Sequence, residues 1–259
     1  MDNNTKEVLS FAVELGDSLL RNGAEVYRVE ESITKILDAY DIEDGDVYVL
    51  TNGIFATAEE QSIDAASIVR HVPLCPTHLG RIAAINQLGR DVCDRRVTIE
   101  EAWQRLEQCS CIPTATNWQL AIAGGIGSAG FAYLFGGSVW DSLAALIIGF
   151  VVQGSLNLMA AAHTSKTVTN VLASALAAAL AMACVLVGLP LHSDKIIIGD
   201  IMPMVPGIAL TNGIRDFVNG DYLSGTIRLI DALLTSFCIA VGVGIVITVV
   251  TLITGGAPI

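Results

Sequence analysis

The sequence predicts an α-helical membrane protein: five transmembrane helices preceded by a soluble α+β domain of element order ααβββαα. Three observations predict this. From Trp118 onward the chain is nearly all Ala, Ile, Leu, Val and Gly, with four Lys/Arg (Lys166, Lys195, Arg215, Arg228) and six Asp (Asp141, Asp194, Asp200, Asp216, Asp221, Asp231). The apolar runs in that half reach the roughly 20 residues that a span requires. Residues 1–117 carry the other ten basic and twenty acidic side chains, with helical, then alternating, then helical periodicity. The expected boundaries are therefore 1–117 for the soluble domain and 118–259 for the transmembrane domain.

The formal net charge is −12, and −10 of it falls in residues 1–117. Nucleic acid and anionic lipid heads would repel such a domain, so no nucleic-acid partner is expected. The opening Met1-Asp2-Asn3-Asn4 lacks a basic n-region with an apolar core behind it, so the domain is expected to stay in the cytoplasm.

Within the domain, Val8, Phe11, Ala12, Leu15 and Leu19 give a helix over about 5–22, and Asn22-Gly23 supplies a left-handed stop. Val26, Val29, Ile33, Ile36, Leu37 and Tyr40 form the stripe of a second helix, with Glu25, Arg28, Glu31 and Lys35 on its outer face. Glu30 sits at the edge of that stripe, either functional or paired to Arg28 or a cap. After the acidic turn 43–46, Val47–Thr51 and Ile54–Thr57 flank Asn52-Gly53, a two-residue hairpin signal. Residues 66–72 read as a third strand. Helices over about 77–93 and 98–111 follow, the second started by the capping pattern Thr98-x-x-Glu101.

The six cysteines (Cys75, Cys93, Cys109, Cys111, Cys184, Cys238) show no second close pair or His pair to complete a zinc set, and read as free thiols. His71, Cys75 and His78 gather around Pro73 and Pro76. They form either a metal or catalytic group or a proline-punctuated loop with surface histidines, and the loop is favoured. Neither a metal nor a cofactor is expected.

Five segments are long enough to span: about 118–135, 139–161, 168–189, 195–214 and 227–253. The first is rich in Gly, Ala and Ser, which lets helices pack closely. The second carries Gln153 and Asn157. With the N-terminal domain inside, the inner loops hold Lys166, Arg215 and Arg228 and the outer loops only Lys195, in accord with the positive-inside bias.

The fourth segment is broken by Pro203 and Pro206-Gly207. Each proline removes a backbone donor. Unwound backbone at membrane depth survives only where protein buries it or where it lines a cavity, and transporters use such breaks to bind ions and substrate. Asp200 lies just before the break; Asn212, Arg215 and Asp216 lie after it. Arg228 and Asp231 are three apart and can share a helix face, as a site or as a simple ion pair.

The run Asp200-Ile-Met-Pro203-Met-Val-Pro206-Gly207-Ile-Ala-Leu-Thr-Asn212-Gly-Ile-Arg215-Asp216, with Gly220-Asp221-Tyr-Leu-Ser224-Gly225 and Arg228 behind it, resembles the signature of the bacterial threonine/serine exporters (ThrE-like, YjjP type). So does Leu19-Leu20-x-x-Gly23-Ala24-Glu25-x-x-Arg28-Val29-Glu30. The resemblance implies a multi-pass protein of the bacterial inner membrane with a cytosolic N-terminal domain and five spans. It implies export of threonine, serine or small dicarboxylates such as succinate, driven by protons. It also implies a partner, since the long form of the family fuses a second membrane module that the split form carries as a small multispan subunit. Ending at Ile259, this chain would then be the large subunit of a two-component exporter.

The expected reading is thus a proton-coupled exporter, with Asp200 and Asp231 as candidate proton carriers. Arg215 or Arg228 would anchor a substrate carboxylate. Asn212 and Asp216 are further candidates for substrate or proton binding, Asp216 with Asp221 alternatively a loop residue; Gln153 and Asn157 are secondary polar contacts or interhelical hydrogen bonds, and Pro203, Pro206 and Gly207 the hinge. The expected partners are the substrate, protons, lipid, and a small subunit or further copies of the chain. The alternatives are a membrane-anchored hydrolase, for which only the 71–78 region offers catalytic groups, and a metabolite sensor. An inert anchor has no need of Pro-Gly breaks or intramembrane Asp.

Overall fold

The computed structural model describes residues 4–42, 45–58, 66–73, 77–162 and 164–254. Residues 43 and 44 of the acidic turn, Cys75 and Pro76 lie outside them. The chain divides into two compact units, Met1–Thr114 with Thr211–Arg228, and Ala115–Leu210 with Leu229–Ile259.

The first unit opens with α1 (Asn4–Arg21) and α2 (Val26–Ala39). The link turns at Gly23 (φ +81°), where a Cβ would also lie 2.9 Å from the Thr77 Cα, so both conformation and space require glycine. Strands β1 (Gly45–Leu50), β2 (Gly53–Ala58) and β3 (Ala66–His71) form an antiparallel sheet in that order. Two helices follow, α3 (Leu79–Cys93) and α4 (Ile99–Ser110). The Thr98 hydroxyl accepts from the Glu101 amide at 3.2 Å, as the capping pattern requires. Val49, Ile54, Ala56 and Ala58 turn one face of the sheet into a core with Phe11, Leu15, Ile33 and Ile36. Phe11 meets Trp103 edge-on at 5.5 Å.

The hairpin turn lies one residue earlier than expected, which shifts the strand pairing by two residues. Leu50 pairs with Gly53, so the turn residues are Thr51 and Asn52, and Gly53 belongs to β2. Both registers keep the same side chains inward, so hydrophobic alternation cannot choose between them. Bonds to other parts of the unit do. The buried Thr51 donates its amide to the Ser224 hydroxyl at 3.2 Å, and Asn52 accepts from the Val72 amide at 2.9 Å. Residues 211–228, which supply Ser224, pack with the N-terminal elements.

The second unit is helical: α5 (Asn117–Leu134), α6 (Val139–Ala161), α7 (Lys166–Leu186), α8 (Ser193–Ile201), a 3₁₀ turn at Met202–Met204, and most of α10 (Tyr222–Ile253). Helix α9 (Gly207–Val218) starts in this unit and passes into the first. Ala132, Ala145, Ala173, Ala177, Ala178 and Ala181 fill the interior. Ile126, Leu134, Trp140, Ile147, Leu158, Leu233 and Phe237 face outward. Small inside and large outside is the distribution of helices solvated by lipid, where close backbone approach replaces the hydrophobic effect.

Helices α6, α7 and α10 are each long and apolar enough to cross a membrane. Ser193–Met204 and Gly207–Val218 qualify together, as a pair bent by 55° at the proline break. That makes three or four candidate spans among the described residues, where five were expected. The expected first span does form a helix, α5. Its Asn117, Gln119, Ser128 and four glycines dilute its apolar character below that of the others.

Candidate functional site

Asp200 lies one helical turn before the break and is 1% exposed. Both of its carboxylate oxygens are enclosed, and neither finds a hydrogen-bond partner among the described residues. The Ser128 hydroxyl of α5 lies against it, off hydrogen-bond geometry. Two glycines make room for this arrangement. A Cβ on Gly149 of α6 would run into the Ser128 side chain and stand 3.2 Å from Asp200 Oδ1. A Cβ on Gly199 would lie 2.7 Å from both the Ser128 carbonyl and the Ala132 methyl. Three helices thus close on one carboxylate, and an ionisable group so enclosed is costly unless it is used.

Past Asp200, Met202–Met204 tighten into a 3₁₀ turn and Val205 is extended (φ −63°, ψ 130°). The conformation follows from Pro206, which disfavours a helical residue before it. A Cβ on Gly207 would meet nothing within 4 Å, so open space adjoins the restart of the helix.

Arg215, Asp216 and Arg228 come together in the first unit. Arg215 pairs with Glu25 through Nη1, and Arg28 Nε stands 3.0 Å from the same carboxylate. Arg228 Nε stands 3.2 Å from Asp216 Oδ2, both side chains nearly buried and the contact off hydrogen-bond geometry. Arg228 therefore pairs with Asp216 rather than with Asp231, because tertiary packing overrides the i,i+3 spacing. Asp231 takes Lys166 instead, its two oxygens at 2.9 and 2.7 Å from Nζ. Asn212 is half-buried on α9. Gln153 donates to Asn157 at 3.3 Å within α6, and Asn157 donates to the Asn117 carbonyl of α5 at 3.0 Å. Glu30 accepts weakly from the Val49 amide of β1 at 3.4 Å, while Arg28 takes Glu25.

Asp141 is a residue that sequence reasoning missed. It is fully buried at the start of α6 and accepts from the Ser138 amide and hydroxyl (2.7 and 2.8 Å) and the His192 amide (2.8 Å); the His192 ring Nδ1 lies 3.0 Å away. One carboxylate thereby ties the start of α6 to the start of α8. The pattern Ser138-x-x-Asp141 ahead of an apolar run was the available signal.

His78 caps α3, its Nδ1 accepting from the Arg81 amide at 3.1 Å, and His71 is exposed. Among the described residues no group of three or more His, Cys, Asp or Glu is placed to hold a metal ion. Cys93, Cys109, Cys111, Cys184 and Cys238 are free thiols, and burial pushes the Cys93 and Cys109 thiols up.

Residues 10–250 match the family described as "Putative threonine/serine exporter" (ThrE). The chain is 25% identical over 244 residues to a Mycobacterium tuberculosis protein named "Probable threonine/serine exporter", covering 93% of this chain and 46% of the relative. It is 22% identical over 245 residues to the "Threonine/serine exporter" of Corynebacterium glutamicum, covering 92% and 50%. The chain thus spans about half the length of these relatives. No solved structure matches it significantly. With the family match running through nearly the whole chain, including both the N-terminal motif and the broken span, this protein belongs to the threonine/serine exporter family.

Proposed function

We propose that the protein exports threonine, serine or a related small metabolite across the bacterial inner membrane, with Asp200 carrying the coupling proton. The observation that carries this reading is the enclosed carboxylate of Asp200, without a hydrogen-bond partner among the described residues, one turn before a proline break. A carboxylate that gains and loses a proton as the helices around it move couples the two events. The break at Pro203, Pro206 and Gly207 is the hinge. Arg215 and Arg228 hold a substrate carboxylate by exchanging Glu25 or Asp216 for it, and Asn212 adds a polar contact. Threonine and serine have the support of the relatives' names; small dicarboxylates such as succinate rest only on the sequence resemblance.

In this reading α5 is the fifth span, sheltered from lipid by further protein: a small multispan module or a second copy. The N-terminal unit then faces the cytoplasm, as its acidic character and the Lys/Arg bias favour. The Asp231–Lys166 pair is a second, more exposed place for proton exchange.

Reconstitution into proteoliposomes tests the reading, with labelled threonine, serine and succinate followed with and without a pH gradient. Asp200→Asn keeps the shape and removes the proton site. It is expected to abolish gradient-driven flux, a loss of at least about tenfold, and to retain substrate exchange. Wild-type gradient-driven flux in that variant would remove Asp200 from the mechanism. Pro203→Ala with Pro206→Ala tests the hinge in the same assay. Each proline lost from a regular helix relieves up to about 3 kcal/mol, so the double variant is expected to melt higher and transport slower. A higher melting temperature with undiminished flux would make the break a packing detail.

A further inference from the structure

Asp141 does more than cap its own helix. Capping α6 uses the Ser138 amide and hydroxyl, both bonded to Oδ2. The other oxygen, Oδ1, accepts from the His192 amide at 2.8 Å, and the His192 ring brings Nδ1 to 3.0 Å from Oδ2. Amide donors on both oxygens hold the carboxylate as an acceptor, so the ring donates through Nδ1. His192 opens α8, and its side chain makes no capping bond to that helix. Asp141, from a different helix, serves that end instead and is fully buried while doing so. The His192 ring over it is 67% exposed. One carboxylate bonded to two helix starts is thus sealed beneath a single solvent-facing ring.

Helices α6 and α8 run in step from this contact. Eight residues beyond Asp141 on α6 is Gly149, and eight beyond His192 on α8 is Asp200; a Cβ on Gly149 would stand 3.2 Å from Asp200 Oδ1. Eight helical residues rise about 12 Å. Ala145 and Ile148 of α6 and Ile196 and Ile197 of α8, all in one buried cluster, occupy the turns between. An apolar plug two turns long therefore separates Asp200 from the starts of the two helices, and it holds only while α8 lies against α6. A path from that end to Asp200 opens when the start of α8 swings away. The bonds from His192 to Asp141 resist that swing, because breaking them leaves a buried carboxylate short of donors. We infer that the Asp141–His192 contact is the latch of a gate over Asp200, on the side of the membrane where α6 and α8 begin. That side is the outer one in the five-span, proton-coupled reading, on which this inference rests.

Thiol labelling reads the gate without relying on transport. Asp200→Cys is made in the whole protein and reconstituted in proteoliposomes of known orientation. An impermeant maleimide is offered to the face where α6 and α8 begin, and modification at position 200 is followed by peptide mass spectrometry. Labelling should be slow in Asp200→Cys alone. Adding His192→Ala removes the ring bond and should speed labelling at least about threefold; adding Asp141→Asn sets an amide group against the donors and should speed it at least about tenfold. Adding Ser138→Ala removes only a bond within the α6 cap and should leave labelling slow. His192→Ala alters an exposed ring, so the test stands even if the Asp141 variant does not fold. Unchanged labelling with His192→Ala would overturn the inference. Equal acceleration by Ser138→Ala would overturn it too, since Asp141 would then be a helix cap alone. With Asp200 intact, His192→Ala should also dissipate a pH gradient faster than wild type in the absence of substrate. Faster labelling without that leak would uphold the latch and count against Asp200 as the proton carrier, so the two readings fail separately.

Discussion

The N-terminal unit fills its interior with Leu9, Phe11, Leu15, Ile33, Ile36 and Ile85, while the helical unit sets many alanines, glycines and serines among a few large residues such as Ile148, Met182 and Ile196. Buried bulk stabilises the first, at about 25 cal/mol for each Å² of apolar surface withdrawn from water. Lipid removes that incentive, so the second holds together through close helix contact. Gly149 and Gly199 crowd Ser128 and Ala132, and a Cβ on Gly242 of α10 would run into the Ser174 hydroxyl and the Val171 carbonyl of α7. The two units should therefore fail in opposite ways: the first when atoms are removed, the second when atoms are added.

Phe11→Ala is the largest expected effect. The ring is fully buried and packs on Trp103, so its loss removes apolar burial and leaves a cavity. Such changes cost about 3–5 kcal/mol. Denaturant unfolding followed by tryptophan fluorescence measures it. A loss below about 1 kcal/mol would mean that the first unit is not built on bulk.

Gly149→Ala comes next, since one methyl group is forced onto the Ser128 side chain. Overpacking of this kind costs about 1–3 kcal/mol. Ser128→Gly in the same chain removes the obstruction and should restore part of the loss, a coupling that a double-mutant cycle reads directly. If the melting temperature of Gly149→Ala matched wild type, the close approach of α5 and α6 would not exist in lipid, and with it would go the enclosure of Asp200.

The same contrast explains what could be read from the chain beforehand. Helices α1, α2, α6 and α7 follow from apolar periodicity or from long apolar runs, which are local properties. The proline break is local too, and so is its 3₁₀ geometry. The hairpin register is not: its turn is held by Ser224, far along the chain, and alternation alone permits both registers. The partner of Arg228 is not local either, because i,i+3 spacing offers Asp231 while packing delivers Asp216. The role of Asp141 is not local either, because its contact with His192 lies 51 positions on. Asp200 was legible as a charge in an apolar run, but its enclosure by Ser128, Gly149 and Gly199 required three helices to be placed. The span count was the least local property of all, since α5 is a helix whose glycines weaken the very signal that identifies a span.

The smallest expected effect concerns ion pairs, and here the two units should agree or differ according to their solvent. Lys35 and Glu31 on α2 pair at 2.6 Å with side chains 63% and 54% exposed, and Lys166 and Asp231 pair at 2.7 Å with 61% and 38% exposed. Exposed pairs in water contribute about 0–1 kcal/mol, because solvent screens the attraction and ordering two long side chains costs entropy. Lys35→Gln is therefore expected to shift stability by less than about 1 kcal/mol, and by less still at high salt, where the Debye length falls to about 3 Å. If Lys166 and Asp231 sit in water at the membrane surface, Lys166→Gln should behave in the same way and lose its effect in salt. If lipid covers the pair, removing Lys166 strands a carboxylate in a poor solvent. The cost should then exceed about 2 kcal/mol, resist salt, and be relieved by adding Asp231→Asn. Thermal melts of the two Lys variants in lipid nanodiscs at low and high salt distinguish these cases. A salt-resistant loss at Lys166 alone would place the start of α7 within the bilayer, and equal, salt-sensitive losses would place it at the aqueous edge.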